Sequence, residues 1–282
     1  DYKFLVNPTQ IRELNMLEVV DGGIKVGASV TLTEMRDFLQ QQIETLPECE
    51  TQIYRAVVEM LYWFAGMQVR NAASLGGNIM TGSPISDMNP ILLSANAELE
   101  VQSLDGGRRK VKMDENFFTG YRRNVIKAAE VLISIFIPKT SDKQHFLAYK
   151  QAKRRDDDIA IVNAAFNIKF RGDMSSIIDD VKLAFGGMAP TTILALKTAE
   201  LMKGKKWNQE LVEIVNQSLI DEIPLSHDAP GGVVLYRRSL TLSLFFKAFL
   251  NISQELEKTG DLKILSDRDR SGIEGFHTLT PK

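Results

Sequence analysis

The sequence has few of the residues that build disulfide frameworks and metal sites. It contains one cysteine, Cys49, and three histidines among 282 residues. A single cysteine excludes an internal disulfide and a cluster held by several cysteines of this chain. Three scattered histidines do not predict a zinc site either. We expect a cytoplasmic protein, with a peroxisomal location as the alternative.

Long apolar runs and a strong charge of one sign are also missing. No run approaches the roughly 18–20 apolar residues that span a bilayer, and the opening residues do not resemble a secretory signal. The formal net charge of −2 argues against the basic surface typical of nucleic-acid binding. We therefore expect no membrane and no nucleic-acid partner. Because the sequence opens at Asp1 without Met and ends without a closing element, we interpret it as a fragment of a longer polypeptide.

Hydrophobic periodicity predicts an α+β fold rather than a doubly wound sheet. A capping box at Thr31 and Glu34 predicts a helix start, and the turn Asp105-Gly-Gly107 predicts a hairpin. Further helices are predicted over 51–64, 192–202, 208–221 and 236–258. Strands are predicted over 24–28, 97–101, 111–113, 131–137, 146–150, 160–170 and 181–185. Residues 71–90 show no helical period and are rich in small residues, so we expect an ordered functional loop.

Two adjacent glycines mark the centre of this predicted loop, in the segment Ser74-Leu75-Gly76-Gly77-Asn78. Without Cβ atoms, a ligand can approach the backbone closely, and amide groups can converge on an anion such as a diphosphate. Ser74 and Asn78 add side-chain hydrogen-bonding groups. A structural turn is the alternative, and the spacing is not that of a dinucleotide-binding glycine fingerprint.

Two further features carry charge. Asp87 is suited to accept hydrogen bonds from hydroxyls or a ring N–H, with a helix cap or an Asx-turn as the alternative. Residues 150–158 place four cations directly beside three carboxylates. A solvated face is the usual meaning of such a run, but between two apolar strands it also has the potential to tune a redox group or admit a dinucleotide. The glycine turns at 186–190 and 229–232 are interpreted as structural, with anion binding as the alternative for 229–232.

These motifs occur together and in a characteristic order: Ala73-Ser-Leu-Gly-Gly-Asn-Ile79, Ser83-Pro-Ile-Ser-Asp-Met-Asn-Pro90, Gly120-Tyr-Arg-Arg123, Lys150-Gln-Ala-Lys-Arg-Arg-Asp-Asp-Asp-Ile-Ala160, Gly186-Gly-Met-Ala-Pro190 and Ala229-Pro-Gly-Gly232. In this combination the sequence resembles, over nearly its whole length, the FAD domain of the xanthine dehydrogenase and aldehyde oxidase family of molybdenum hydroxylases. The resemblance implies a vanillyl-alcohol-oxidase-type FAD-binding domain over 1–140. It also implies the remainder of the flavin domain, with a C-terminal α+β subdomain, over 141–258, and a linker towards a molybdenum domain over 259–282.

The resemblance also implies the site residues. FAD contacts would come from Phe64, Ser74, Leu75, Gly76, Gly77, Asn78, Asp87, Leu132 and Lys150. Tyr121 matches a residue of the NAD site, and residues 151–161, with Arg155 and Asp157, match a mobile loop that governs NAD access. We further predict a cation–π contact between Trp63 and Arg155. In the family a second FAD loop, of the Val-Gly-Asn-Thr type, precedes the segments matched here.

The function implied is electron transfer. Iron–sulfur clusters and a molybdenum cofactor in other domains would deliver electrons from hypoxanthine or xanthine, and FAD would pass them to NAD in a homodimeric enzyme. No catalytic acid or base is assigned to this chain, because the flavin carries the chemistry. The alternatives are an aldehyde oxidase flavin domain that delivers electrons to oxygen and a non-catalytic α+β binding module. The acidic triplet Asp156-Asp-Asp158 favours the dehydrogenase.

Overall fold

The structure is a computed structural model that describes residues 3–154, 156–172, 176–259 and 263–271. The strands are β1 (Leu17–Val20), β2 (Gly23–Gly27), β3 (Glu98–Ser103), β4 (Gly107–Lys112), β5 (Phe118–Gly120), β6 (Arg123–Asn124), β7 (Val131–Pro138), β8 (Gln144–Ala152), β9 (Ala160–Phe170), β10 (Ile178–Gly186) and β11 (Ile193–Leu194). The α-helices are α1 (Leu32–Thr45), α2 (Gln52–Tyr62), α3 (Met67–Arg70), α4 (Leu75–Thr81), α5 (Asn89–Ser94), α6 (Leu196–Met202), α7 (Gln209–Glu222) and α8 (Val234–Thr259).

Two larger antiparallel sheets and the two-stranded hairpin β5-β6 organise these elements, which confirms the predicted α+β class. The first has the strand order β1-β2-β7-β3-β4 and the second has the order β11-β10-β9-β8. The capping box predicted at Thr31 and Glu34 starts α1, and the predicted glycine turn joins β3 to β4 with Gly107 at φ 63°. The first sheet shares one apolar core with α1, α2, α4 and α5.

The second sheet is covered on both faces. Along β9, Ala165 belongs to the first core and Phe166 to a second core built with α6, α7 and α8. Successive side chains of a strand point to opposite faces, so one face of this sheet packs on α5 and the other on α8. This arrangement explains the almost continuous burial of β9. It also places the end of β8, at Lys150, beside the end of α2 and the start of β9, at Asn163, beside Ser86.

The prediction of an irregular loop over 71–90 is wrong for its central part, which forms α4. The Ser74 hydroxyl accepts a hydrogen bond from the Gly77 amide at 3.1 Å and caps the helix, as serine commonly does. Gly82 ends it in the left-handed conformation at φ 57°. Only Leu75 and Ile79 supply large buried side chains, so the helical period is too short to be read from the sequence.

Two other expectations on element bounds differ from the structure. The helix predicted from residue 192 begins at Leu196, because Ile193 and Leu194 pair with β10 as β11. Within the predicted linker, residues 263–271 pack against α8: Leu265 is buried, and its amide donates to the Glu257 carboxylate at 2.8 Å. The remaining linker residues, 260–262 and 272–282, lie outside the described residues.

Both glycine turns predicted as structural are joined by one buried arginine. The Arg237 guanidinium donates to the Gly187 carbonyl and, at 2.9 Å, to the Pro230 carbonyl. These bonds use carbonyl oxygens of turns that the sequence places more than forty residues apart. Across the described ranges, the longest helices do not combine the length and apolar content needed to cross a bilayer.

The second core yields a stability prediction. Trp207 is fully buried, stacks on Phe249 and donates its indole N–H to the Ser253 hydroxyl at 2.9 Å. Replacing Ser253 by alanine leaves that N–H buried without an acceptor, which costs about 1–3 kcal/mol. We expect Ser253→Ala to lower the free energy of unfolding by that amount in denaturant titrations. Ser243→Ala, on the exposed face of the same helix, is the control, and equal losses in both variants would contradict the prediction.

Candidate functional site

The chain turns sharply where α2 ends. Ala65 adopts a left-handed conformation at φ 42°, which is uncommon for a residue other than glycine. The Arg70 guanidinium donates to the Phe64 carbonyl at 2.6 Å and also to the Ala65 carbonyl, so it holds the turn from inside. Phe64 is half-buried against the first core, and the preceding Trp63 directs its carbonyl towards β8.

A buried ion pair connects this turn with two other segments. The Lys150 ammonium on β8 lies 2.6 Å from the Asp87 carboxylate and donates to the Trp63 carbonyl at 3.0 Å. The two charged side chains are 6% and 7% exposed. Lys150 therefore does not belong to a solvated face, although Lys153 and Arg154 farther along the run are exposed.

The charge of Asp87 depends on its surroundings. Burial raises the pKa of Asp87, whereas the ammonium of Lys150 and a hydrogen bond from Asn163 lower it. These are the expected directions, since desolvation disfavours a carboxylate while an opposite charge and a donor favour it. Asp87 does not cap α5, because that helix has no side-chain cap and the Ser86 hydroxyl accepts from the Asn89 amide instead. The alternative interpretation of Asp87 as a helix cap is thus wrong.

The two glycines of α4 face different surroundings. A Cβ on Gly76 would lie 2.5 Å from the Ala28 carbonyl oxygen, so this glycine makes room for protein backbone rather than for a ligand. Its amide donates to the same carbonyl at 3.2 Å. Gly77 is exposed, and among the described residues a Cβ there would meet only the Ser74 hydroxyl, at 3.2 Å. Space for the close approach of a ligand is therefore found at Gly77. The amides of Gly77 and Asn78 donate to the hydroxyl and the carbonyl of Ser74, so the expectation that backbone amides of this segment converge on an anion is wrong for these residues.

Hydrogen bonds link α4 to the other predicted contacts. The Asn78 side-chain oxygen accepts from the Ser86 hydroxyl at 2.6 Å, which joins α4 to the residue before Asp87. On the other side, the Ala28 amide donates to the Ile133 carbonyl at 2.9 Å. Since Gly76 donates to Ala28, this chain of bonds connects α4 to β7, where the neighbouring Leu132 is buried in the first core.

Tyr121 stands at the tip of the hairpin formed by β5 and β6. It is 61% exposed, and the Arg122 guanidinium lies 5.7 Å from its ring centre. The hairpin packs close to the end of α4, because a Cβ on Gly82 would lie 3.3 Å from the Arg122 backbone. Tyr121 is thus an accessible aromatic side chain beside the same helix that carries Gly77.

The three aspartates of the charged loop have different environments. Asp158 accepts the backbone amides of Arg154 and Ile159, both at 2.8 Å, and these bonds lower its pKa. Asp157 is exposed and has a left-handed backbone at φ 48°. One of its carboxylate oxygens lies 3.9 Å from the Cβ position of Gly66, so it faces the turn that follows Phe64. Arg155 lies outside the described residues, and with it the predicted contact to Trp63.

The structure brings the described site residues around α4 and the Asp87–Lys150 pair. Sequence reasoning missed Asn163, which is fully buried on β9 and donates to the Ser86 carbonyl at 2.9 Å. A signal was present, because Asn163 and Asn167 interrupt an apolar strand at positions that share one face. The sequence contained no signal for its partner, because Ser86 lies 77 residues away in the chain.

The contrast between the two glycines leads to a prediction. In Gly76→Ala the added methyl group collides with the Ala28 backbone, and overpacking of this kind costs about 1–3 kcal/mol. In Gly77→Ala the methyl group meets only a side-chain hydroxyl, that of Ser74 at 3.2 Å among the described residues, which needs to shift by a few tenths of an ångström, and alanine is the better helix former. We expect thermal or denaturant unfolding to show a loss for Gly76→Ala and none for Gly77→Ala. If Gly76→Ala were as stable to unfolding as the wild type, the close contact with Ala28 would not restrict residue 76 to glycine.

Two family models match successive parts of the chain. Residues 1–140 match the family model of the FAD binding domain in molybdopterin dehydrogenase, and residues 147–252 match that of the CO dehydrogenase flavoprotein C-terminal domain. Carbon monoxide dehydrogenase from Hydrogenophaga pseudoflava, in a structure that lacks the Mo-pyranopterin moiety of the molybdenum cofactor, has a similar fold. The TM-score is 0.72 at 20% identity, over 84% of this chain and 77% of that chain.

Sequence similarity is much higher to xanthine dehydrogenases. The chain is 51% identical to xanthine dehydrogenase from Drosophila pseudoobscura pseudoobscura, over 98% of this chain and 21% of that protein. It is 47% identical to xanthine dehydrogenase/oxidase from Gallus gallus, over 91% of this chain and 19% of that protein. The chain spans about a fifth of the length of these curated relatives. Together, the two domain matches and these identities show that the chain belongs to the xanthine dehydrogenase family and is a flavin domain of that family.

Proposed function

We propose that this chain binds FAD at the residues gathered around α4 and the Asp87–Lys150 ion pair. The observation that carries the proposal is the junction at Lys150, which connects β8, the Asp87 segment and the end of α2. Three segments that the family resemblance assigns separately to FAD thus meet through one side chain. Phe64, Ser74, Leu75, Asn78 and Leu132 are the other proposed contacts.

The residues present suit such a ligand. Gly77 is exposed and has no side chain to cover its backbone. A diphosphate can approach such a backbone closely. Ser74 and Asn78 carry hydrogen-bonding groups on the same short helix. Phe64 provides a half-buried aromatic ring, and the Lys150 ammonium provides a positive charge that favours added electrons on a neighbouring ring system.

We propose further that electrons leave this site for NAD. FAD supplies the hydride chemistry when bound, and the protein supplies orientation and electrostatics. The accessible Tyr121 and the loop with Asp157 would border the NAD site. Arg155 is assigned to the same loop by the family resemblance alone. The Lys150 ammonium, whose charge Asp87 partly compensates, would favour the reduced cofactor, and the carboxylate of Asp157 would oppose it.

In the longer polypeptide that we propose, iron–sulfur and molybdenum domains would deliver electrons from hypoxanthine or xanthine, and the enzyme would be a homodimer. The names of the similar proteins support this proposal over an aldehyde oxidase or a binding module. The division into residues 1–140, 141–258 and a linker over 259–282 stays a prediction. A cytoplasmic location also stays a prediction, and the single cysteine is consistent with it.

The first test concerns the open backbone at Gly77. Gly77→Val places two methyl groups where the diphosphate is proposed, so we expect the full-length protein to fold and to lose most of its FAD. Flavin absorbance relative to protein absorbance measures the content. Gly172→Val is the matched control, because a Cβ there would meet no atom of the described residues within 4 Å. Normal flavin content in Gly77→Val would remove this contact from the proposal.

The second test concerns Asp157 and electron transfer to NAD. One unit charge at about 8 Å contributes roughly 0.5–2 kcal/mol for effective dielectric constants between about 80 and 20. Because Asp157 is exposed, water screens its charge and the lower part of this range applies. We expect Asp157→Asn to shift the ratio of reduced to oxidised FAD by about two- to fivefold towards reduced. NAD reduction would slow, and reaction with oxygen would increase.

An anaerobic titration of the full-length protein with NAD and NADH, followed by flavin absorbance, measures this shift and tests the proposed acceptor. Asp156→Asn removes the same charge from the neighbouring residue and is the control. A wild-type flavin that exchanges no electrons with the nicotinamide would overturn the NAD proposal. Unchanged flavin potentials in single Asp→Asn variants of residues 156, 157 and 158 would instead show that no carboxylate of the triplet acts on the flavin.

A further inference from the structure

Two buried asparagines on β9 fasten both ends of one segment to the second sheet. The Asn163 side-chain amide donates to the Ser86 carbonyl at 2.9 Å, and that of Asn167 donates to the Ser94 carbonyl at 2.8 Å. The two residues are four positions apart, so they share one face of the strand. Each holds the segment 86–94 by the same kind of side-chain-to-backbone bond.

Asn163 has a second acceptor that Asn167 lacks among the described residues. Its amide nitrogen lies 3.4 Å from one oxygen of Asp87, while the other oxygen of Asp87 lies 2.6 Å from the Lys150 ammonium. Lys150 and Asn163 are direct partners in the register of β8 and β9, and direct partners place their side chains side by side. Two neighbouring strands thus hold the two oxygens of one carboxylate.

The orientation of the Asn163 amide follows from these partners. The Ser86 carbonyl and the Asp87 carboxylate are both acceptors, so the NH₂ group must face them. The amide oxygen then lies against Gly186, where a Cβ would be only 2.0 Å away, and it has no hydrogen-bond partner among the described residues. An unsatisfied buried oxygen is unfavourable. The orientation of the amide thus keeps the contacts of its NH₂ group with Ser86 and Asp87, and it leaves the amide oxygen without a partner among the described residues.

We propose that Asn163 is a positioning residue for Asp87: its amide fixes the Ser86–Asp87 peptide and directs the carboxylate towards Lys150, so that the ion pair beside the flavin keeps one geometry. This inference rests on the proposed FAD site. It adds a residue that would touch neither FAD nor NAD and would act on the cofactor only through Asp87.

The consequence is a dependence on pH. Burial raises the pKa of Asp87, and Lys150 and Asn163 oppose that effect. Loss of the Asn163 donor therefore raises the pKa further, and Asp87 becomes protonated at a higher pH. Lys150 is the charged group that acts on Asp87 among the described residues. Once Asp87 is neutral, the uncompensated ammonium favours reduced flavin, so the rise in flavin potential on acidification begins at a higher pH.

The experiment compares Asn163→Leu with Asn167→Leu in the full-length flavoprotein. Each variant loses one amide that binds the same segment, and we expect a similar loss of thermal stability in both. Flavin midpoint potentials are measured across the pH range in which the proteins stay folded, together with the FAD content. We expect the pH profile of the potential to move to higher pH in Asn163→Leu and to stay in place in Asn167→Leu. Asn163→Ser, whose shorter side chain does not reach Asp87, replaces the leucine variant if that does not fold.

Asp87→Asn separates this proposal from the proposed function. If Asp87→Asn changes the profile while both variants at residue 163 leave it as in the wild type, Asn163 is structural only and the FAD site stands. A profile that is unchanged also in Asp87→Asn would show that Asp87 does not act on the flavin, and the role of Asn163 would fail with it. Equal shifts in the variants at residues 163 and 167 would assign the effect to general loosening of the segment and overturn the proposal.

Discussion

The buried ion pair between Asp87 and Lys150 is the constraint on which the rest of the site depends. Taking two charges out of water is unfavourable, and only close pairing with further hydrogen bonds compensates for it. Here the compensation comes from the close contact of the pair itself, from the Trp63 carbonyl that Lys150 binds, and from the Asn163 amide beside Asp87. Removal of one partner leaves the other charge buried. The turn after α2, the Asp87 segment and β8 must therefore form together.

The second sheet is the platform that makes this junction possible. Because β9 is covered on both faces, polar side chains on it must find partners within the protein. Asn163 and Asn167 find them in the backbone of the segment 86–94, and the Ser94 hydroxyl returns a bond to the Ala165 carbonyl at 2.9 Å. The same sheet thus completes the second core on one face and orients the segment 86–94, part of the proposed flavin site, on the other.

Sequence patterns captured the parts of the fold that depend on local periodicity. The strand β9 and the helix α8 were predicted within a few residues, because long apolar patterns determine both. The helix α4 was missed, since its glycines leave only Leu75 and Ile79 to show a period. At the site, the family resemblance assigned Asp87 and Lys150 as separate FAD contacts, but it did not predict that the two side chains contact each other. That contact joins residues 63 positions apart, and one sequence contains no record of it.

Two neighbouring aspartates of the charged loop, Asp157 and Asp158, have different structural roles. Asp158 directs its carboxylate to two backbone amides, and Arg154 donates to the Asp157 carbonyl, so these two residues close the turn. With the turn closed by its neighbours, the Asp157 side chain is released to face the Gly66 turn in a left-handed conformation. An acidic run that composition alone marks as a solvated face therefore contains one structural carboxylate and one directed towards the proposed flavin site. Lys150, at the start of the same run, is directed inwards by β8. A single short stretch of sequence thus directs a positive charge to the Trp63 carbonyl and a negative charge to the turn at Gly66.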